Sequence, residues 1–207
     1  MTLAEELESY LPAGATLRFG QLQLSRTPEG SFVACHADDR TMLPKLEEID
    51  SISGLRDLAK CDGSGEFRPL KTAPTLKSGW KTQSSSAKDF LRRLDAIYPG
   101  VFATWVAYDR NEHGPTSLRR TLDRQTGMYR FAGTITDQMA NRIMRELCSP
   151  GCLRKIAWPL NDQCIVSKIK REPMSIPVIC TEACTFAISR ARELAKEAYD
   201  RENAPGN

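Results

Sequence analysis

Histidine is nearly absent from this 207-residue chain, which has only His36 and His113. Chelatase and hydrolytic metal centres ordinarily need imidazoles close to one another, so such a centre is not expected here. His36 reads as a strand residue and His113 as part of a linker. No G-x-S-x-G, Walker or G-x-G-x-x-G sequence is present, which removes the usual nucleophile elbow and phosphate-cradling loops. No apolar run approaches the roughly 18 residues of a membrane span. The opening MTLAEELESYLPAG is acidic and amphipathic, with no basic n-region or apolar h-region. The closing NAPGN carries no lipidation box. A cytoplasmic location away from membranes is the expectation.

The net charge of +3 conceals an asymmetry. Residues 1–115 hold 14 Lys and Arg against 16 Asp and Glu, a balance of −2; residues 116–207 hold 15 against 10, a balance of +5. These cations are interspersed with acids and form no polybasic arm, so nucleic acid is not the expected partner. They can offset a local anion instead.

Local patterning gives an α+β reading. Leu3–Leu11 has the spacing of a short helix. Thr16–Leu24 and Ser31–His36 alternate as strands around the turn-forming Pro28-Glu29-Gly30. A helix is expected over about Gly54–Lys60, followed by a turn at Cys61–Gly65. Phe67–Trp80 contains two prolines and no period, and reads as an ordered loop pinned by Phe67, Leu70, Leu76 and Trp80. Ser84–Ser86 precedes a helix to Ile97 with Phe90, Leu91 and Leu94 inward. Pro99 is expected to open the next helix, which carries Val101, Phe102, Trp105 and Val106. Asn111–Pro115 is the best boundary. Beyond it, Thr136 can cap a helix bearing Met139, Ile143, Met144 and Leu147, and a final helix runs from about Cys184 to Arg201. Arg119, Arg120, Arg124 and Arg130 surround Thr126–Tyr129. Arginine forks suit an anionic ligand or an acidic partner face, but the plainer expectation is a solvated strand edge. Trp80, Trp105 and Trp158 read as core anchors.

Cysteine is plentiful by contrast. Five of the seven, Cys148, Cys152, Cys164, Cys180 and Cys184, fall within 37 residues. An odd total speaks against a fully paired disulfide framework. In a reducing compartment, clustered cysteines are metal ligands or redox groups more often than bridges. Two pairs stand out for their shared C-x3-C spacing, Cys148-Ser-Pro-Gly-Cys152 and Cys180-Thr-Glu-Ala-Cys184. Pro150 and Gly151 stop the preceding helix near Cys148. Cys184 falls at the start of the last helix, where the dipole favours a thiolate. Four thiolates suit a [4Fe-4S] cluster. They also suit structural zinc, though its pairs are more often C-x2-C, and buried unmodified thiols remain a third reading. Arg145, Arg154, Lys155, Arg190 and Arg192 lie close by in sequence and can screen an anionic centre. Cys164, alone between the pairs, is the weakest of the five; Cys35 and Cys61 read as structural.

Phe67–Trp80, Leu94-Asp-Ala-Ile-Tyr-Pro-Gly100 and Arg124-Gln-Thr-Gly-Met-Tyr129 resemble sirohydrochlorin cobaltochelatase-like proteins with an extra C-terminal half. Cys148–Arg154 with Trp158, and Cys180–Cys184 ahead of a basic helix, look like the cluster-binding part of that half. The resemblance covers about residues 15–200. It implies a small α+β stabilising domain over residues 1–115 and a mainly helical [4Fe-4S]-binding domain over 116–207. It favours Cys180 and Cys184 over Cys164, which gives Cys148, Cys152, Cys180 and Cys184 as the ligands; zinc stays the alternative metal on spacing, and Arg124, Arg154 and Arg190 are the arginines whose charge is expected to bind the cofactor. The family's chelatase domain, with its metal-handling histidines, has no counterpart here, so no metal insertion is expected from this chain alone. An accessory or electron-transfer role is implied, alongside a separate chelatase, another tetrapyrrole enzyme or a redox partner.

Overall fold

A computed structural model describes residues 1–61, 67–69, 79–125, 127, 132–148, 152–163 and 168–202, with only the backbone for 59–61, 67–69 and 202. The expected Cys61–Gly65 turn, most of the Phe67–Trp80 loop and Cys164 lie outside the described side chains. In chain order the first elements are α1 (Leu3–Tyr10), β1 (Thr16–Phe19), β2 (Leu22–Arg26), β3 (Phe32–His36), a 3₁₀ helix (Ala37–Lys45) and β4 (Glu47–Glu48). Next come α2 (Ile52–Leu58), β5 (Ala59–Cys61), β6 (Phe67–Pro69), β7 (Trp80–Ser84), α3 (Ala87–Ile97) and α4 (Val101–Asp109). The remainder holds α5 (Leu118–Asp123), a 3₁₀ turn (Ala132–Thr134), α6 (Asp137–Ile143), a π turn (Met144–Cys148), β8 (Lys155–Ile156), β9 (Ser175–Ile176), β10 (Ile179–Cys180) and α7 (Thr185–Glu202). The class is α+β. No helix among the described residues is long and apolar enough to cross a membrane.

The chain divides into two compact units, Met1–Glu112 with Lys170–Val178, and His113–Ile169 with Ile179–Asn207. The first is built on a six-stranded sheet in the order β4-β7-β3-β2-β1-β9, with β4 and β9 parallel to their neighbours and the central pairings antiparallel. Alternation in β1 and β2 sets Leu17 opposite Leu24 and Phe19 opposite Leu22, and all four are buried. Phe19 meets Tyr98 edge-on at 5.5 Å and Phe32 stacks on Phe90 at 5.3 Å. Arg171, from the returning segment, sits 4.0 Å over the Tyr10 ring, whose hydroxyl bonds Asp109.

Three local expectations change. The strand expected over 16–24 breaks into a hairpin at Gly20, whose φ of +59° a strand cannot accommodate. Pro99 does not open α4, because Gly100 at φ +68° forms the cap and the helix starts at Val101. Trp80 is a fully buried strand residue rather than a loop pin. Elsewhere the capping chemistry reads through: the Ser86 and Thr136 hydroxyls accept from the backbone N–H groups of Asp89 and Met139.

The second unit packs α5, α6 and α7 around Leu118, Leu122, Ile135, Ile143, Trp158 and Leu194. Its only paired strands among the described residues are β8 and β10, parallel, with Cys180 opposite Ile156. Arg119 and Arg120 lie on helix α5, capped by the buried Ser117, while Thr126 and Met128–Arg130 of the expected strand edge lie outside the described residues. Phe186 and Tyr199, on α7, are exposed.

Candidate metal centre

Cys148 and Cys180 sit where an element ends, Cys184 where one begins, and Cys152 between elements. α6 loosens at its C-terminus into the π turn, and Cys148 is the last residue of that turn. A π turn widens the backbone spiral and is a frequent feature of functional sites. Cys152 follows in irregular chain and, like Cys148, is half-buried. Cys180 ends β10 and is 8% exposed. Cys184 is exposed and its carbonyl accepts the Ile188 N–H at 3.0 Å, so α7 grows directly out of it.

All four are free thiols, and they lie within electrostatic reach of one another. Burial first, then the neighbouring Cys152, Cys184 and Cys180, push the Cys148 thiol up to about 12. Burial also raises Cys180, while the Trp158 indole N–H and the Arg154 guanidinium act in the opposite direction and the charges of Cys184 and Cys152 add to the rise. Burial and the neighbouring thiols thus oppose thiolates at Cys148 and Cys180, and a cationic centre would offset both. Among the described residues no group of three or more His, Cys, Asp or Glu side chains is placed to hold a metal ion. The two findings are compatible, because a cubane binds each thiolate to a separate iron and spreads the sulfurs more widely than one tetrahedral ion does.

The arginines separate by partner. Arg154 acts on Cys180 and, with Arg145, Asn141, Met144 and Ile156, lines an open cavity of about 500 Å³ that reaches Cys148. Arg124 pairs with Glu182, in the loop between Cys180 and Cys184. Arg190 is gripped by Glu146 at 2.7 Å, Glu193 at 2.8 Å and Glu197 at 3.2 Å, and Arg142 reaches Glu146 and Glu197 at 2.6 and 3.4 Å. Hydrogen bonds from Arg190 and Arg142 bring the Glu146 carboxyl down to about 2. Glu146 belongs to the π turn, so this network fastens the Cys148 turn to α7. Of the arginines expected at the cofactor, Arg154 is near enough for its charge to act on Cys180, while Arg124 and Arg190 have carboxylate partners.

Sequence reasoning missed the environment of Trp158. The residue is 3% exposed, its Nε1 has no hydrogen-bond partner among the described residues, and it is close enough to Cys180 to draw that thiol's pKa down. A buried donor without a protein acceptor, next to a sulfur that carries negative charge once ligated, fits a thiolate-bound cluster. The signal was the Trp158-Pro159 pair following β8, but β8 is two residues long and invisible to periodicity.

An α+β protein with a cysteine-rich, mainly helical second unit is the class this geometry defines. The chain belongs to the DR2241 stabilising domain family, whose model matches residues 5–109, and residues 110–193 match the 4Fe-4S iron-sulfur cluster binding domain. The protein is therefore an iron–sulfur protein of the [4Fe-4S] type. A similar solved structure is DR2241 from Deinococcus radiodurans, described as a multi-domain protein with structural similarity to chelatases and two additional novel domains. The TM-score is 0.65 at 24% identity, over 88% of this chain and 39% of that one. The present chain thus spans well under half of that protein. No curated protein matches it.

Proposed function

We propose that this chain is an accessory or electron-transfer module whose [4Fe-4S] cluster is ligated by Cys148, Cys152, Cys180 and Cys184. The observation that supports the ligand set is that these four free thiols gather in one unit, with Cys148 close enough to feel the charge of the other three. Residues 1–115 would act as the stabilising domain and residues 116–207 as the cluster domain. The cluster, when bound, supplies one-electron redox chemistry. The chain's residues hold it: the π turn presents Cys148, the β8–β10 ladder presents Cys180, and Arg154 contributes positive charge beside that sulfur. Cys184 is exposed, which leaves one edge of the site open to a partner.

A link to tetrapyrrole metabolism is supported by the chelatase-like architecture of the Deinococcus radiodurans protein. The partner in this reading is a separate chelatase, another tetrapyrrole enzyme or a redox protein, in the cytoplasm. The experiment is anaerobic reconstitution followed by serine substitution at each cysteine. Cys148→Ser, Cys152→Ser, Cys180→Ser and Cys184→Ser should each lose most of the iron and the visible charge-transfer absorption, because a hydroxyl is a hard ligand where iron–sulfur chemistry needs a soft one. Cys35→Ser, Cys61→Ser and Cys164→Ser should keep both. Iron lost from Cys164→Ser and retained by Cys180→Ser or Cys184→Ser would move the cluster to a different four. Reversible bleaching by dithionite supports the redox role, and a chromophore that cannot be cycled contradicts it.

A further inference from the structure

We propose that Trp158 positions Cys180 and tunes the cluster: its indole N–H donates a hydrogen bond to the ligated Cys180 sulfur and makes the cluster easier to reduce. The inference rests on the ligand set above and adds a residue that does not touch iron.

Trp158 is held from both sides. The Ala157 N–H donates to the Cys180 carbonyl at 2.9 Å, and the Pro159 and Leu160 carbonyls accept from Leu118 and Arg119 at 2.8 and 3.0 Å. The short strand on one side and the α5 N-terminus on the other leave the indole little freedom. Its ring and the Cys180 side chain lie in the same apolar core, with Ile143, Ala183 and Ala187. A buried N–H that forms no ordinary hydrogen bond carries an uncompensated desolvation cost. That cost is offset if the intended acceptor is a sulfur, since N–H···S bonds are long.

The hydrogen-bonding role of Cys180 reverses on ligation. As a thiol, its sulfur donates to the Glu182 carbonyl at 2.9 Å and is a weak acceptor. As a cluster thiolate it has no proton to give and a surplus of electron density to share. The indole N–H is then the donor in place. A hydrogen bond to a cluster sulfur stabilises the more negative, reduced state more than the oxidised one, so it raises the reduction potential. Arg154 pushes in the same direction by charge rather than by hydrogen bonding.

The test uses the reconstituted full chain. Trp158→Phe should retain four irons per chain, as the wild type does, with a midpoint potential shifted to more negative values in an EPR-monitored redox titration. Wild-type protein labelled with [15N-indole]tryptophan should show one 15N coupling to the reduced cluster in pulsed EPR. Trp80→Phe and Trp105→Phe should keep that coupling. An unchanged potential in iron-replete Trp158→Phe, or no 15N coupling in the labelled wild type, overturns the inference. If Trp158→Phe fails to fold, the labelled wild type decides alone. Full iron retention by Cys180→Ser would instead break the ligand assignment on which the inference stands.

Discussion

The Cys180 sulfur lies 2.9 Å from the Glu182 carbonyl oxygen and donates its proton to it. A thiol makes this bond and a thiolate cannot, so ligation at Cys180 must expel a proton. Cys148, pushed up to about 12, likewise holds its proton at neutral pH. Loading a thiolate-bound centre should therefore release protons and strengthen as pH rises through the neutral range. Iron affinity, measured by anaerobic reconstitution of the apo-protein with ferrous iron and sulfide over a pH series, tests this. Affinity that stays flat across neutral pH would show that these thiols are not the ligands.

Cys35 should be inert. Burial first, and Asp39 second, raise its pKa from 9.0 to about 11, and it is 3% exposed within β3. Alkylation of native apo-protein near pH 8 should mark the exposed Cys184 early and Cys35 last. The sign of the stability effect follows from the same shift. A thiol whose folded pKa is raised contributes fully below its unfolded value near 9 and loses that contribution as pH rises through about 11. The Cys35→Ala variant should show a smaller loss of stability of the N-terminal unit over that interval, by urea unfolding.

Gly20 should tolerate no side chain. Its φ is +59°, and an added Cβ would meet Val178 Cγ2 at 2.7 Å and Tyr98 Cε2 at 3.2 Å. Gly20→Ala combines left-handed backbone strain with a clash and should cost about 2 kcal/mol. Gly30 also has a positive φ but open space around it. Gly30→Ala should therefore cost less, and equal losses in the two variants would contradict the role given to the Val178 contact.

Arg190 pairs with Glu146, Glu193 and Glu197 and so ties the π turn to α7. Arg190→Gln should keep four irons and the unaltered absorption, with a small drop in melting temperature that shrinks in high salt. Complete loss of iron would instead place Arg190 at the cluster.

Much of this was legible in the sequence where local chemistry decides the structure. Ser86 and Thr136 announced their helices because a cap needs only one hydroxyl and the next turn. The cysteine pairs were visible because their spacing is short and repeated. The strand break at Gly20 and the helix start at Val101 were missed because a positive φ is a backbone property that one glycine among thirteen does not reveal. β7 was hidden behind the prolines of the preceding segment, and β9 pairs with β1 from more than 150 residues away. Trp158 was legible as a core anchor, but its nearness to Cys180 was not, because it depends on the register that sets Ile156 opposite Cys180.

The central claim is that four cysteines of this chain hold one [4Fe-4S] cluster. Iron and acid-labile sulfide, measured per chain on anaerobically purified protein, test it most directly. The account predicts about four of each, together with loss of both when Cys148 and Cys180 are replaced by serine. A single tightly held zinc with no sulfide, or four irons surviving that double substitution, would contradict it.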